Sequence, residues 1–152
     1  MNKLKIIVCL IVLALITGCG KKNYITCSLN INNDLENYSV KSDYKIYFKG
    51  DFVTKIEKSE KYTSNDIDKL KLLDEMKSLE YYNLNDKYGG VTYNIKSSER
   101  NVIIKSTIIF ETFDVNKMAK NGEIDKDYVK NGKIAVNGLK RIYEMKGLVC
   151  RG

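Results

Sequence analysis

Residues 38–62, with the sequence YSVKSDYKIYFKGDFVTKIEKSEKY, contain the pattern that decides the fold. Over 38–48 large apolar side chains recur at alternate positions with mostly polar ones between them, which is the period of a half-buried strand. Residues 49–51 (KGD) supply a tight turn. The returning segment, 52–62, carries three apolar residues on a common side: Phe52, Ile56 and Tyr62. The stretch therefore predicts an antiparallel β-hairpin.

The segments on either side of this hairpin alternate between strand and helix periods. We expect further strands at 25–33, 91–96 and 101–112, helices at 66–82 and 134–146, and a short helical turn at 114–120. The first helix is predicted to bury a stripe of four residues: Leu70, Leu73, Met76 and Leu79. Loops are expected at 83–90 and 121–132, and a short extended tail at 148–150.

This order of elements, β-β-β-α-β-β-α, predicts an α+β domain. We expect an antiparallel sheet of about five strands with two helices packed on one face. In strand 101–112 apolar residues occur on both sides, so Ile103 and Ile109 form either part of a central strand or an exposed apolar patch.

The N-terminus has the features of an export signal. Lys3 and Lys5 precede an unbroken apolar run from Ile6 to Ile16, which is shorter than the roughly 20 residues that a membrane-spanning helix needs. Residues 15–19 (LITGC) resemble the lipobox of bacterial lipoproteins, in which the cysteine, here Cys19, receives a diacylglycerol group. The alternative is an ordinary signal peptide with an incidental cysteine.

This interpretation divides the chain into a removed signal peptide, 1–18, a lipidated tether, 19–24, and one globular domain, 25–152. The expected location is the extracytoplasmic face of the cell membrane, with the lipid anchor as the membrane contact. Lipoprotein-processing enzymes are the partners that such a precursor requires.

Two cysteines remain after the signal and the lipid site are accounted for. Cys9 lies in the apolar run, and Cys27 and Cys150 lie at opposite ends of the expected domain. An exported chain with two remaining cysteines predicts one disulfide, which would join the first strand to the C-terminal tail. The alternative is two free thiols.

Three stretches, in this order and behind the lipobox, resemble the YehR-like family of small bacterial lipoproteins. They are 48–55 (FKGDFVTK), 90–118 (from GVTY to FDVNKM) and 133–147, which contains the last helix. The resemblance implies a single α+β domain of undefined biochemical role and supplies no catalytic or binding residues. The predicted disulfide is not part of the family pattern.

Composition excludes several classes of function. The 152 residues include no histidine, proline or tryptophan, so no imidazole is present to act as a catalytic base or as a zinc ligand. We expect no metal and no cofactor. The formal charge of +7 comes from lysines dispersed among acids rather than clustered, and export disfavours a nucleic-acid partner. An anionic polymer or a protein of the envelope fits this charge better.

The side chains that could carry chemistry also have structural interpretations. Carboxylates pair at Asp66/Asp68, Asp74/Glu75 and Asp125/Asp127 with Glu123, where helix caps and solvated faces are the ordinary explanation. Lys58 and Ser59 are adjacent but are predicted to lie on a solvated strand face. Tyr81, Tyr82 and Tyr88 cluster near the end of the first helix and could form a ligand rim, although core positions are more common for tyrosine.

The leading hypothesis is a non-enzymatic binding or interaction module held at the membrane. One alternative is a small envelope hydrolase that uses carboxylates or a Ser–Lys pair. Another is an accessory subunit that docks on a membrane complex through a patch around Ile103 and Ile109.

Overall fold

The computed structural model describes residues 23–35 and 37–152. The predicted signal peptide, the lipid-attachment residue Cys19 and all but the last two residues of the predicted tether lie outside the described residues.

The described chain contains eight strands, three α-helices and one 3₁₀ turn, Lys126–Tyr128. The strands are β1 Tyr24–Asn33, β2 Tyr38–Lys49, β3 Phe52–Ser64, β4 Val91–Ser97, β5 Asn101–Ile109, β6 Val129–Lys130, β7 Lys133–Ile134 and β8 Val149–Arg151. The helices are α1 Ile67–Tyr88, α2 Val115–Lys120 and α3 Val136–Met145.

Six strands form one antiparallel sheet in the order β4-β5-β3-β2-β1-β8. The predicted α+β class with an antiparallel sheet is confirmed. The sixth strand, β8, is the expected C-terminal tail, which pairs with β1. β6 and β7 form a separate small hairpin around Asn131 and Gly132, both at positive φ, within a segment that the sequence predicted as loop and helix start.

The two faces of the sheet differ in what covers them. On the inner face, Tyr143 of α3 packs on Tyr44 with ring centroids 4.8 Å apart, and the Tyr81 hydroxyl of α1 lies 3.4 Å from Glu60. Both long helices therefore lie on one face, as predicted. The central strands contribute the most buried apolar side chains to this layer: Ile46, Ile56, Val102 and Ile104.

A β-bulge in the hairpin corrects one predicted core residue. The register between β2 and β3 shifts between Tyr47 and Phe48, so that Phe48 pairs with Val53 while Ile46 pairs with Ile56. The extra residue reverses the side-chain alternation in β3. Val53 is buried in place of the predicted Phe52, which is only half-buried.

Helix α1 is longer than predicted, because residues 83–88 continue it instead of forming a loop. The asparagines in this segment favour turns, but Tyr81 and Tyr88 lie seven positions apart on one face and are both buried. Tyr88 packs against Phe113 with centroids 5.3 Å apart. Tertiary packing outweighs the local preference, and Gly89, at φ 72°, ends the helix.

The buried side of α1 also differs from the predicted stripe. Leu70 is buried and Leu73 is partly buried, but Met76 and Leu79 are each 60% exposed. The helix instead buries Leu70, Tyr81 and Tyr88, and it contacts β4, β3 and β5 of the sheet.

The predicted disulfide between Cys27 and Cys150 is confirmed. The two residues are direct register partners between β1 and β8, with Cα atoms 4.0 Å apart, and Cys27 is fully buried on the inner face. Because β8 has only three residues, the bridge contributes a large share of what holds this edge strand in place.

We predict that replacing both cysteines by serine lowers the free energy of unfolding by roughly 4–5 kcal/mol, because the bridge closes a loop of more than 100 residues. Urea unfolding followed by circular dichroism measures the loss. Ser28→Ala, next to the bridge on an exposed position, is the matched control and should change stability by less than about 0.5 kcal/mol. A double variant as stable as the parent would contradict the prediction.

Candidate functional site

The outer face of the sheet carries a concave site, which we call the outer trough. Its volume is about 620 Å³, and it crosses five neighbouring strands, β8, β1, β2, β3 and β5. The outward-pointing side chains that line it are Thr26, Ser28, Asp43, Lys45, Glu57, Ser59, Lys105, Thr107, Val149 and Arg151. The site arises because alternate residues of each strand point away from the helices.

Register places the polar side chains of the trough in rows across the sheet. Asp43, Ser59 and Lys105 are successive partners across β2, β3 and β5. Lys45 is two strands from Arg151, with Thr26 of β1 as the partner of both. Small hydroxyl-bearing side chains at the middle of each row leave the concavity open between charged ends.

Basic residues outnumber acidic residues on this outer face. The basic side chains at outward positions of the paired strands include Lys41, Lys45, Lys55, Lys61, Lys96, Lys105 and Arg151, against Asp43 and Glu57. The outer face is therefore net positive, and in the trough itself three outward-pointing basic side chains lie with two acidic ones.

Glu57 is neutralised by its neighbours within the sheet. Lys55 Nζ lies 2.7 Å from its carboxylate, and the Tyr47 hydroxyl donates to it at 2.8 Å. These two hydrogen bonds lower the pKa of Glu57 below its usual range, and the bond from Lys55 has the larger effect. Asp43 has a looser partner, Lys41, at 3.8 Å.

Aromatic rings hold Lys45 at one side of the trough. Its Nζ lies 4.2 Å from the centroid of the Tyr24 ring and 5.0 Å from that of Tyr47. The hydrogen bond with Tyr47 is the first reason that the pKa of Lys45 is raised. The Lys45 ammonium therefore keeps its proton, and the two rings fix its position at the surface.

A second polar group lies on the inner face, beneath the helices. Lys58 Nζ lies 2.8 Å from Glu60, whose side chain is 6% exposed. The same carboxylate accepts from Tyr62 at 3.1 Å, from Tyr81 at 3.4 Å and from Ser42 at 3.5 Å. We call these five residues, with Ser106, which donates to Tyr81, the inner polar cluster.

Lys58 corrects a sequence prediction. Ser59 faces outward as expected, but Lys58 points to the inner face between the Tyr44 and Tyr81 rings. Burial alone would lower the pKa of Lys58, but the electrostatic effects of Tyr81, Tyr44 and Glu60 outweigh it and raise the pKa. A lysine that stays protonated cannot take a proton from a serine hydroxyl, so this residue does not have the properties of a Ser–Lys base.

One carboxylate of each predicted acid pair, and Glu123, has a local structural partner. Asp66 caps α1 by accepting from the Lys69 amide at 3.0 Å, and Asp125 caps the 3₁₀ turn in the same way. Asp74 accepts hydrogen bonds from Ser78 and Ser97, and Glu123 pairs with Lys87. These four carboxylates are thus engaged in separate caps, serine hydrogen bonds and an ion pair. They do not converge on one cleft.

The predicted tyrosine rim does not form. Tyr81 and Tyr88 are each 3% exposed, and only Tyr82 of the three, at 61%, faces solvent. The structural interpretation of these tyrosines as core residues therefore holds for two of them.

The outward apolar residues of β5 are separated from each other. Ile109 is exposed and Ile103 half-buried, and Lys105 and Thr107 lie between them on the same face. Six residues of strand span about 20 Å, so the two side chains do not form one continuous patch.

Within residues 23–35 and 37–152, no helix is long and apolar enough to span a bilayer. The same part of the chain contains no group of three or more cysteine or acidic side chains that could hold a metal ion.

Comparison with solved structures identifies the fold. The chain is similar to the NMR structure of the E. coli YehR protein, with a TM-score of 0.55 and 19% identity over 86% of this chain and 92% of that one. The chain has a YehR-like fold. An NMR structure of a protein from Streptococcus pneumoniae TIGR4 aligns with a TM-score of 0.48 and 15% identity, over 87% of this chain and 88% of that chain. No protein-family model and no curated protein sequence matches the chain.

We predict that the protein loses stability as the pH rises above 10. Burial, and then Glu60, raises the pKa of Tyr62 above the ordinary 10.0, so the unfolded chain releases this proton at a lower pH than the folded protein does. The free energy of unfolding should therefore fall by up to about 1.4 kcal/mol per pH unit for this group.

Urea unfolding at pH 8, 10 and 11 tests this alkaline effect. Tyr62→Phe should have a shallower dependence on pH than the parent, and Tyr82→Phe, at an exposed site, should match the parent. Equal slopes for all three proteins would contradict the assignment.

We also predict that Lys58 and Glu60 are strongly coupled. Glu60→Leu alone leaves a buried cation without its carboxylate and should cost about 3–5 kcal/mol. Adding Lys58→Met should recover more than half of that loss, because the unpaired charge is then removed. Thermal unfolding of the two single variants and the double variant gives the coupling energy.

Lys77 and Glu80, an ion pair at 2.6 Å on α1, provide the matched control. The same pair of substitutions there should change stability by less than about 1 kcal/mol. A double variant at Lys58 and Glu60 that is no more stable than Glu60→Leu would refute the coupling.

Proposed function

We propose that this chain is a membrane-anchored extracytoplasmic bacterial lipoprotein that acts as a non-enzymatic binding module through its outer trough. The observation that carries the proposal is the trough itself, a concave polar surface of about 620 Å³ on the sheet face opposite the two long helices. A sheet that needs only one covered face for its core can present the other to a ligand.

The lipobox sequence and the YehR-like fold together support the anchor, and they favour membership of the YehR-like small lipoproteins. The trough would then lie close to the membrane. β1 begins at Tyr24, and Thr26, at the trough, follows Cys19 by seven residues, which span at most about 25 Å when extended.

The roles of the titratable groups support binding over catalysis. One acid of each predicted pair serves as a helix cap or accepts hydrogen bonds from serines, and the Lys58 ammonium forms an ion pair with Glu60. The trough offers cations and hydroxyls suited to holding a ligand.

The anchor is tested by mass spectrometry of the native product from its own membrane. We expect an N-terminal peptide that begins at Cys19 and carries the mass of a diacylglycerol. Cys19→Ala should retain residues 1–18 and lack the lipid, whereas Cys9→Ala, in the apolar run, should be processed as the parent is. An unmodified Cys19 in the native product would overturn the anchor.

The binding surface is tested by photocrosslinking in intact cells. A photoreactive amino acid at Ser59, in the trough, should form an adduct of increased mass. The same amino acid at Lys71, exposed on α1, is the control and should not form that adduct. Absence of an adduct from position 59, or equal adducts from both positions, would overturn the trough as the binding surface.

A further inference from the structure

The charges of the outer trough are arranged in a repeating pattern across the sheet. Cations lie on every second strand: Arg151 on β8, Lys45 on β2 and Lys105 on β5. The strands between them, β1 and β3, present hydroxyls: Thr26, Ser28 and Ser59. Adjacent strands are about 4.8 Å apart, so the positions of Arg151 and Lys45, which share a row, are roughly 10 Å apart. Lys105 lies two strands beyond Lys45 and one row along, in the row of Ser59, so these two positions are roughly 12 Å apart.

We propose that the trough binds a linear phosphodiester polymer in which anionic groups alternate with hydroxyl-bearing units, laid across the strands from Arg151 to Lys105. This assignment rests on the proposed function, since it names the ligand class of the same surface.

Charge complementarity is the first argument for this ligand. Lys105 and Arg151 have no carboxylate within ion-pair distance in the described part of the chain, so both are available for an anion. Lys45 is held in place by the rings of Tyr24 and Tyr47. A planar guanidinium and a fixed ammonium are the groups that proteins use for phosphate.

The acidic residues of the trough fit the same ligand. Glu57 is neutralised by Lys55 and Tyr47, so it adds little repulsion. Asp43 lies two residues from Lys45 on β2, in the row of Ser59, where its carboxylate can accept hydrogen bonds from the hydroxyls of a polymer unit. A polymer whose charges are only about one strand spacing apart would place an anion against Asp43, and a neutral glycan would leave the cations unpaired.

The test uses the purified full chain in neutral detergent and a fluorescently labelled ribitol phosphate oligomer, with binding followed by anisotropy. Replacing Lys45, Lys105 and Arg151 together by glutamine should weaken binding by roughly 100-fold, at about fivefold for each cation near an anionic partner. The matched control replaces Lys71, Lys120 and Lys146, which are exposed on or beside the helices, and should weaken binding less than about threefold.

A second variant separates shape from charge. Ser59→Trp fills the middle of the trough without changing any charge and should also abolish binding, while circular dichroism melting verifies that each variant is folded. Competition with polygalacturonate, whose carboxylates are more closely spaced than the phosphates of the oligomer, and with neutral dextran should leave the labelled oligomer bound.

Three results would overturn the inference: no binding of the oligomer, equal loss in the two triple variants, or equal competition by polygalacturonate. Preferential binding to phosphatidylglycerol vesicles would also overturn it, by assigning the surface to the membrane. The photocrosslinked adduct distinguishes this failure from failure of the proposed function. If the mass added at Ser59 is lost on treatment with protease but not with hydrofluoric acid, the ligand is a protein. The proposed binding module would then stand, and the phosphodiester polymer would be excluded.

Discussion

The disulfide between Cys27 and Cys150 is the constraint on which the two faces of this sheet depend. It lies on the inner face and fixes β8 beside β1, although β8 has only three residues to pair. Because side chains alternate along a strand, the same pairing directs Arg151 to the opposite face. One covalent bond in the core thus sets the position of a cation at the edge of the trough.

The alternation of side chains gives each face its own electrostatics. Lys58 points inward and is neutralised by Glu60, whose carboxylate also receives three hydroxyls and so has its hydrogen-bonding capacity largely filled. Ser59, the next residue, points outward into the trough. A one-residue slip of β3 would move the Lys58–Glu60 ion pair to the outer face and the Ser59 hydroxyl to the inner face. The inner polar cluster therefore makes the slipped register much less stable than the native one. The inner cluster thereby helps to determine the outer surface.

The sequence predictions were accurate where properties of neighbouring residues decide the structure. Alternation in 38–48 and the Gly50 turn are local properties, and the hairpin formed where they indicated. The errors occurred where pairing or packing with another element decides. The bulge that buries Val53 depends on pairing with Phe48, and the last turns of α1 depend on Tyr88 reaching Phe113. The strand β8 was too short for any periodic signal, so the sequence predicted only an extended tail at 148–150, and the cysteine pair indicated that it joins the first strand.

The sequence by itself determined the class of fold, the hairpin, the two long helices and the disulfide, because periodicity, turn residues and cysteine number are properties of neighbouring positions or of composition. Only the tertiary structure decided which basic side chains lie on the same surface. Lys45, Lys105 and Arg151 are far apart along the chain and resemble every other lysine or arginine in it. They meet on one surface because strand order and register bring β2, β5 and β8 into a single sheet, and no local pattern encodes that order.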